Sequence, residues 1–399
     1  MAFEEERVSS IFIVPFIQCL VGILLVIALL NGQRDLVILT FLVLGIMAAS
    51  RLWSHWSLKN LRIRMRIDKQ RAFPDEKLTL SVYVDNKKWF PVRLQVNIPV
   101  DIPLLSHSNE SIIQNECGLL WYQKTVFQWD LTARQRGLHH VGPPHIRSGD
   151  LFGFFFKIKK TGKEPVQVIV YPRIIPLKPS SFLRKDFFGI PGAKSPVQDP
   201  IYILGTRDYQ HWQPARYIHW KASARHNKLQ EKVFEPSSQE KILLLVDVES
   251  FAKNNAHDDF EKTLEAVASL AVQCDQKRVA LGLLTNGEVL GGRTYLPVSR
   301  GPNQLSAILE VLARMVMRSD RLLIHALCDG LSLDWGVSGV CFSYQVDQDM
   351  HDLEGCFLNR KIPMMFMICT TDSSDYNTTP MLRSKVRTLK ELQMEDSGP

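Results

Sequence analysis

The chain has 399 residues, enough for two or three domains each with its own core, and a formal charge of +7. A net +6 of that excess sits between Arg51 and Arg71, which argues against nucleic acid as a partner, since such a footprint spreads Lys and Arg over a binding face. The seven cysteines (Cys19, Cys117, Cys274, Cys328, Cys341, Cys356, Cys369) are widely spaced, with no C-x-x-C pair and no His-flanked cluster, which argues against a disulfide framework or a zinc site.

Residues 1–10 are short and polar, with Glu4, Glu5 and Glu6. Residues 11–30 then run for twenty positions without a charge, about 30 Å of helix and enough to cross a hydrocarbon layer. A signal peptide would need a basic start and a small-residue cleavage site, and neither is present. After a polar turn at 31–35, residues 36–49 resume the apolar run, and Leu52, Trp53 and Trp56 extend it with rings suited to a membrane interface. Residues 1–58 therefore read as a transmembrane helical hairpin with spans of about 11–30 and 36–53. The basic run that follows predicts cytoplasmic termini and soluble domains, and also attracts anionic headgroups.

From Leu61 the period changes to two. Leu61, Ile63, Met65 and Ile67 alternate with polar residues, as do Leu78, Leu80, Val82 and Val84, and then Val92, Leu94, Val96 and Ile98. This pattern predicts antiparallel strands with one wet face. With further strand candidates at 119–131, 137–141 and 166–171, residues 59–177 read as a β-sandwich. Adjacent His139 and His140 would face opposite sides of a strand, so they share no metal.

Residues 178–200 form a Pro- and Gly-rich linker that leads into Gly205–Arg225, the densest aromatic and basic stretch of the chain. Linker and stretch together occupy 178–240. The grammar then becomes α/β: buried strands at 241–246, 279–284, 339–344 and 364–369 alternate with amphipathic helices at 258–278, 303–317 and 349–359. Residues 241–370 thus predict a doubly wound α/β domain, followed by a polar tail at 371–399.

These motifs resemble a known bacterial membrane family, the one catalogued as domain of unknown function 58. Arg136 and Gly137, followed by Gly142, Asp150, Phe152 and Gly153, are similar to its Arg-Gly and Asp-x-Phe-Gly signatures. Arg207, Tyr209, Arg216, Ile218, His219, Trp220, Lys221, Ala224 and Arg225 match its central motif, and the resemblance covers nearly the whole chain. It implies a von Willebrand factor A-like C-terminal domain. Members are often encoded beside MoxR-type AAA+ ATPases. The resemblance therefore implies an inner-membrane scaffold or adaptor that partners such an ATPase in envelope assembly or protein maturation.

Two positions depart from the family. Trp212 and Gln213 stand where members usually carry a Gly-Asp pair. In von Willebrand A domains a D-x-S-x-S loop gives Mg²⁺ a carboxylate and two hydroxyls; here Asp247 is in place, but Glu249 and Phe251 replace the hydroxyls and Ser250 is out of step. Asp247 and Glu249 are therefore a degenerate metal site, the plain reading of Asp247 being a strand-end acid facing solvent. No bound cofactor is expected.

The central stretch has three readings. It docks internally, with Glu231, Glu235 or Asp150 meeting its cations; it contacts a partner; or it is catalytic, with His211 or His219 as general base and Asp208 orienting it. If 216–225 is helical, Arg216 lies one turn from Trp220 as a cation–π pair, and Lys221 lies one turn from Arg225 as a like-charge pair that calls for an anionic partner. The sequence has no nucleophile elbow and no phosphate loop, so Arg207, Tyr209, Arg216, His219, Trp220, Lys221 and Arg225 are read as a binding or interdomain motif without catalytic residues. The competing reading is a metal-dependent or hydrolytic enzyme at the cytoplasmic membrane face. Phe152, Phe154, Phe155 and Phe156 read as packing.

Overall fold

A computed structural model describes residues 7–101, 104, 111–149, 156–160, 164–177, 198–210, 214–236, 241–319, 321–328, 337–360, 362–369 and 386–389. The chain forms two compact units, Met1–Val170 and Tyr171–Pro399.

The first unit opens with α1 (Arg7–Leu30) and α2 (Arg34–Ser57), which pack as a hairpin turned at Gly32, whose φ is +64°. Among the described residues α2 is the one helix long and apolar enough to cross a membrane; residues 16–30 of α1 form a shorter apolar stretch. Thr40, Met47, Ser50, Ser54 and Ser57 of α2 are buried, a stripe of mostly small side chains that lets neighbouring elements approach. Ile38, Leu39, Phe41 and Leu42 lie exposed, as do Leu20, Ile23 and Ile27 of α1.

Among the described residues ten strands follow: β1 (Leu61–Ile67), β2 (Arg71–Ala72), β3 (Lys77–Asn86), β4 (Val92–Pro99), β5 (Ile112–Leu119), β6 (Lys124–Thr132), β7 (Gly137–Val141), β8 (His145–Gly149), β9 (Phe156–Lys160) and β10 (Val166–Val170). They form sheets in the orders β1-β3-β6, β2-β10-β7 and β5-β4-β8-β9. The period-two pattern decides which face turns inward. Leu78, Leu80, Val82 and Val84 of β3 and Val92, Leu94, Val96 and Ile98 of β4 enter one shared core with residues of the other sheets. The predicted strand over 119–131 is instead the end of β5, a turn and β6. Tyr122 takes φ +54°, and the Gln123 side chain accepts from the Leu120 amide at 2.8 Å, which reverses the chain. His139 is buried against the Gln135 carbonyl at 2.9 Å, while His140 is half-exposed beside Asp101, so the two rings do face opposite ways.

In the second unit, β11 (Gln198–Asp208) and β12 (Gln230–Pro236) form an antiparallel ribbon, with α3 (Trp220–His226) between them in sequence. The stretch assigned to a linker therefore ends in strand from Gln198. The remaining elements are β13 (Lys241–Val246), α4 (Val248–Lys253), α5 (His257–Gln276), β14 (Ala280–Thr285), β15 (Glu288–Val289), β16 (Tyr295–Ser299), α6 (Gln304–Arg314), β17 (Met315–Val316), α7 (Leu323–Cys328), β18 (Val337–Ser343), α8 (Gln348–Asn359), β19 (Met364–Ile368) and β20 (Val386–Thr388).

Among the described residues six strands make one sheet in the order β16-β14-β13-β18-β19-β20, parallel except for β16. Two differences from the sequence reading stand out. The helix expected through residue 317 stops at Arg314, because Met315 and Val316 pair with Val289 and Glu288. Val386–Thr388, read as polar tail, pairs with Phe366–Ile368 as the edge strand. Leu243 and Leu245 of β13 pack against α7 and α8 through Leu323, Leu327, Met350 and Phe357, while α5 and α6 pack on each other and on β14. The architecture is thus mixed α/β with several sheets.

Candidate functional site

The chain leaves β13 for β14 on one side of the sheet and later returns to β18 on the other. The carboxyl ends of β13 and β18 therefore diverge at a topological switch point, the place where open α/β sheets receive ligands. Asp247 stands there. Its Oδ1 accepts from Asn286 Nδ2 at 2.9 Å and its Oδ2 from the Ser343 hydroxyl at 3.2 Å. Asn286 is itself fixed, accepting from the Val248 amide at 2.8 Å and donating to the Arg321 carbonyl at 3.0 Å. The Asn286–Gly287 pair is more than a turn signal: a Cβ on Gly287 would lie 2.5 Å from Val248 Cγ2, so glycine lets the β14 loop press against α4.

Asp247 is accordingly partly buried and held by two donors, where the plain reading is a strand-end acid facing solvent. Burial pushes its carboxyl up to about 6, with Asp347 and Glu249 adding like-charge repulsion and the Asn286 and Ser343 donors opposing it. Asp347 is raised as well, chiefly by burial, and caps α8 by accepting from the Met350 amide at 3.1 Å. Glu249 turns to Lys253 at 3.0 Å, and Lys253 also reaches Asp349 at 3.7 Å.

These residues fit Mg²⁺ poorly. Phe251 is fully buried, with its ring 5.6 Å from Phe260 and 5.9 Å from Tyr344, so it forms core beneath the loop. The Ser250 hydroxyl is turned to the Tyr344 amide at 3.3 Å. Among the described residues, no group of three or more His, Cys, Asp and Glu side chains is placed to hold a metal ion. Asn286, Ser343 and Asp347 were not singled out in the sequence. The Asn-Gly pair at 286–287, a turn dipeptide, is the local signal at this place.

The central motif is organised by the ribbon. Arg207 faces Glu231 in register, and its Nε donates to Glu231 Oε1. Glu231 is buried, and its Oε2 has no hydrogen-bond partner. Beside it, Gln230 Nε2 donates to Asp208 Oδ1, and the Tyr209 amide donates to the Leu229 carbonyl at 2.8 Å. His219 caps α3: its Nδ1 accepts from the Ala222 amide at 3.0 Å, which places the ring proton on Nε2. Ser223 locks α3 to the ribbon by donating to the His219 carbonyl at 3.0 Å and accepting from the Gln230 amide at 2.8 Å.

The helix does not extend back to Arg216. Ala215–Tyr217 is a single 3-10 turn and Ile218 is extended, bridging to Glu231. The expected pairing of Arg216 with Trp220 is thereby replaced: the guanidinium sits 5.0 Å over the Tyr217 ring. Trp220, Lys221 and Arg225 project from α3, and Trp220 is 69% exposed. Lys221 and Arg225 sit four apart on the helix without an acidic partner among the described residues. His211, Trp212, Gln213, Asp150, Phe152, Gly153, Phe154 and Phe155 lie outside the described residues, as do the side chains of Phe156 and Glu235.

The curated relative Uncharacterized protein YeaD of Bacillus subtilis (strain 168) is 23% identical over 269 residues, which is 65% of this chain and 63% of that protein. The match thus spans a little under two thirds of the relative's length. Among solved structures, the CARDB domain of a Pyrococcus furiosus protein is 13% identical with a TM-score of 0.20, covering 28% of this chain and 91% of that one. The Pseudomonas fluorescens alkylpurine DNA glycosylase AlkC is 12% identical with a TM-score of 0.21, covering 32% of this chain and 38% of that one. Likeness at this level carries no argument about fold or function. Residues 205–332, which hold the whole central motif together with Asp247 and Asn286, match the family described as Protein of unknown function DUF58, and with the distant YeaD relative this supports placing the chain in that family.

Proposed function

We propose that the protein is a membrane-anchored scaffold or adaptor whose exposed α3 face binds a protein partner, with a MoxR-type AAA+ ATPase as the candidate and envelope assembly or protein maturation as the setting. The observation that carries this reading is the division of labour within the central motif. Arg207, His219 and Ser223 are spent on internal bonds, while Trp220, Lys221 and Arg225 are displayed to solvent. An exposed Trp beside two cations that have no acidic partner among the described residues suits an acidic, partly apolar partner surface. The anchor rests on α1 and α2, whose outward faces are apolar, and the basic residues after α2 support a cytoplasmic location for both units. The von Willebrand A-like assignment is supported by the strand order and by Asp247 at the switch point. The ATPase rests on the family resemblance. The test is co-purification of full-length protein from native membranes in detergent. The ATPase should be retained by the wild type and lost with Trp220→Ala/Lys221→Glu; its absence from the wild-type eluate would remove the adaptor reading.

One observation favours a second reading, a metal-dependent or hydrolytic enzyme at the membrane face: a carboxyl poised near 6 at the ligand-binding edge of an α/β sheet. Calorimetric titration of the full-length protein with Mg²⁺ or Mn²⁺ separates the two. A saturable signal lost in Asp247→Ala favours the enzyme, and no signal favours the adaptor.

A further inference from the structure

The end of the strand-built region that adjoins α2 carries an apolar and basic collar that neither core nor helix packing accounts for. Lys88 reaches back to the last turn of α2, its Nζ donating to the carbonyls of Trp56 and Lys59 at 2.9 Å each and to that of Ser57. The neighbouring Phe90 ring lies 4.0 Å from Trp53 and 6.2 Å from Trp56. The β3–β4 loop is therefore held level with the final turn of the span. Asn86 then ties a second loop to the first, donating from one amide to the carbonyls of both Phe90 and Leu120 at 2.8 Å, and the Tyr122 amide bonds to the Lys88 carbonyl at 3.1 Å. A third segment, β9, approaches the same turn through Lys157, whose Nζ donates to His55 Nδ1 at 2.7 Å.

All three segments have one composition. The loops read Lys-Lys-Trp-Phe-Pro (87–91) and Leu-Trp-Tyr-Gln-Lys (120–124), and the strand reads Phe-Lys-Ile-Lys-Lys (156–160); each joins bulky apolar residues to lysine, and none contains an acid. The rings are not packed away: Trp89 is 74% exposed, Trp121 57% and Tyr122 65%. A water-facing loop has no physical reason to display three large aromatics. A segment at the depth where a span meets the headgroups has one, because Trp and Tyr partition into that layer and lysines beside them meet anionic lipid.

We infer that these loop tips form an interfacial collar that inserts Trp89, Trp121 and Tyr122 into the headgroup layer of an anionic bilayer, so that the strand-built region rests on the membrane instead of swinging from its anchor. The occupant follows from continuity with the span, whose last turn touches the β3–β4 loop and β9, and from charge complementarity with the lysines of three segments that themselves contain no acid. The inference rests on the reading of α2 as a membrane span.

The experiment uses the full-length chain in nanodiscs that contain phosphatidylglycerol, one protein per disc. An environment-sensitive fluorescent amino acid is placed at position 121 and, in a second sample, at the exposed Lys77, which begins β3 at the end opposite Asn86. Iodide quenching at 121 should fall about threefold or more below that at 77, with a blue-shifted emission, as for a ring in the interface. Alkaline carbonate extraction of native membranes is run in parallel. Protein that resists extraction but whose two positions quench equally overturns the collar and leaves the span intact. Protein released by carbonate overturns the span, and the collar with it. Protection at 121 seen only in discs holding two copies assigns the surface to self-association and also overturns the collar.

Discussion

Arg207 and Glu231 face each other across the β11–β12 ribbon, the guanidinium donating to one carboxylate oxygen while the other oxygen is buried without a hydrogen-bond partner. Arg207 is half-exposed and Glu231 is not, so removing the arginine leaves a buried charge with nothing to offset it. Arg207→Ala should cost about 2 kcal/mol, below the range for fully enclosed pairs because solvent already screens the guanidinium. Glu231→Gln in the Arg207→Ala background should recover part of that loss. Denaturant melts of the wild type, the single and the double variant check this; equal stability of Arg207→Ala and wild type would make the pair ornamental.

Asp247 should make stability fall with rising pH. Its carboxyl titrates at about 6 when folded against an ordinary 3.8. Between those values the folded chain holds a proton that the unfolded chain has released, so the contribution of this group declines as pH rises through the window and stays low above it. Asp247→Asn keeps an acceptor for Asn286 and removes the buried charge. It should be more stable than wild type by roughly 1–2 kcal/mol at pH 7.5, with the difference vanishing below pH 4. Thermal melts across that range decide it, and a constant difference would assign the effect to something other than titration.

Trp220→Ala and Arg225→Glu should leave stability within about 0.5 kcal/mol, because both side chains lie on the open face of α3. Ser223→Ala, on the buried face, should lower stability by about 1 kcal/mol through loss of its bonds to His219 and Gln230. Side-by-side melts with the co-purification assay separate a binding face from a folding one.

Lys88→Met removes the donor that closes the C-terminus of α2. A loss of about 1–2 kcal/mol is expected in detergent. Proteolysis at 56–60 should become faster, since the Trp56, Ser57 and Lys59 carbonyls would lose this donor. Unchanged protection there would show that Phe90 packing on Trp53 suffices to hold the junction.

Period and turn chemistry were enough to place α2, the alternating faces of β3 and β4, and the buried run of β13, because each depends on neighbours a few residues apart. The same local logic misread residues 119–131, where a single left-handed Tyr122 reverses an otherwise strand-like run, and it stopped the sheet before Val386, whose pairing depends on a distant partner. The central motif was legible as unusual from composition alone, but its roles were not. Arg207 meets Glu231, 24 residues further along the chain, only because the ribbon register puts them opposite, and the helix that would have joined Arg216 to Trp220 is broken by an extended Ile218 that bridges to Glu231. Asp247 shows the division most clearly. Its identity and its place at a strand end come from the sequence, whereas the burial that lifts its carboxyl to about 6, and the opposing donors Asn286 and Ser343, 39 and 96 residues away, come from the tertiary structure. Long-range contacts set burial and electrostatics, and no local pattern encodes them.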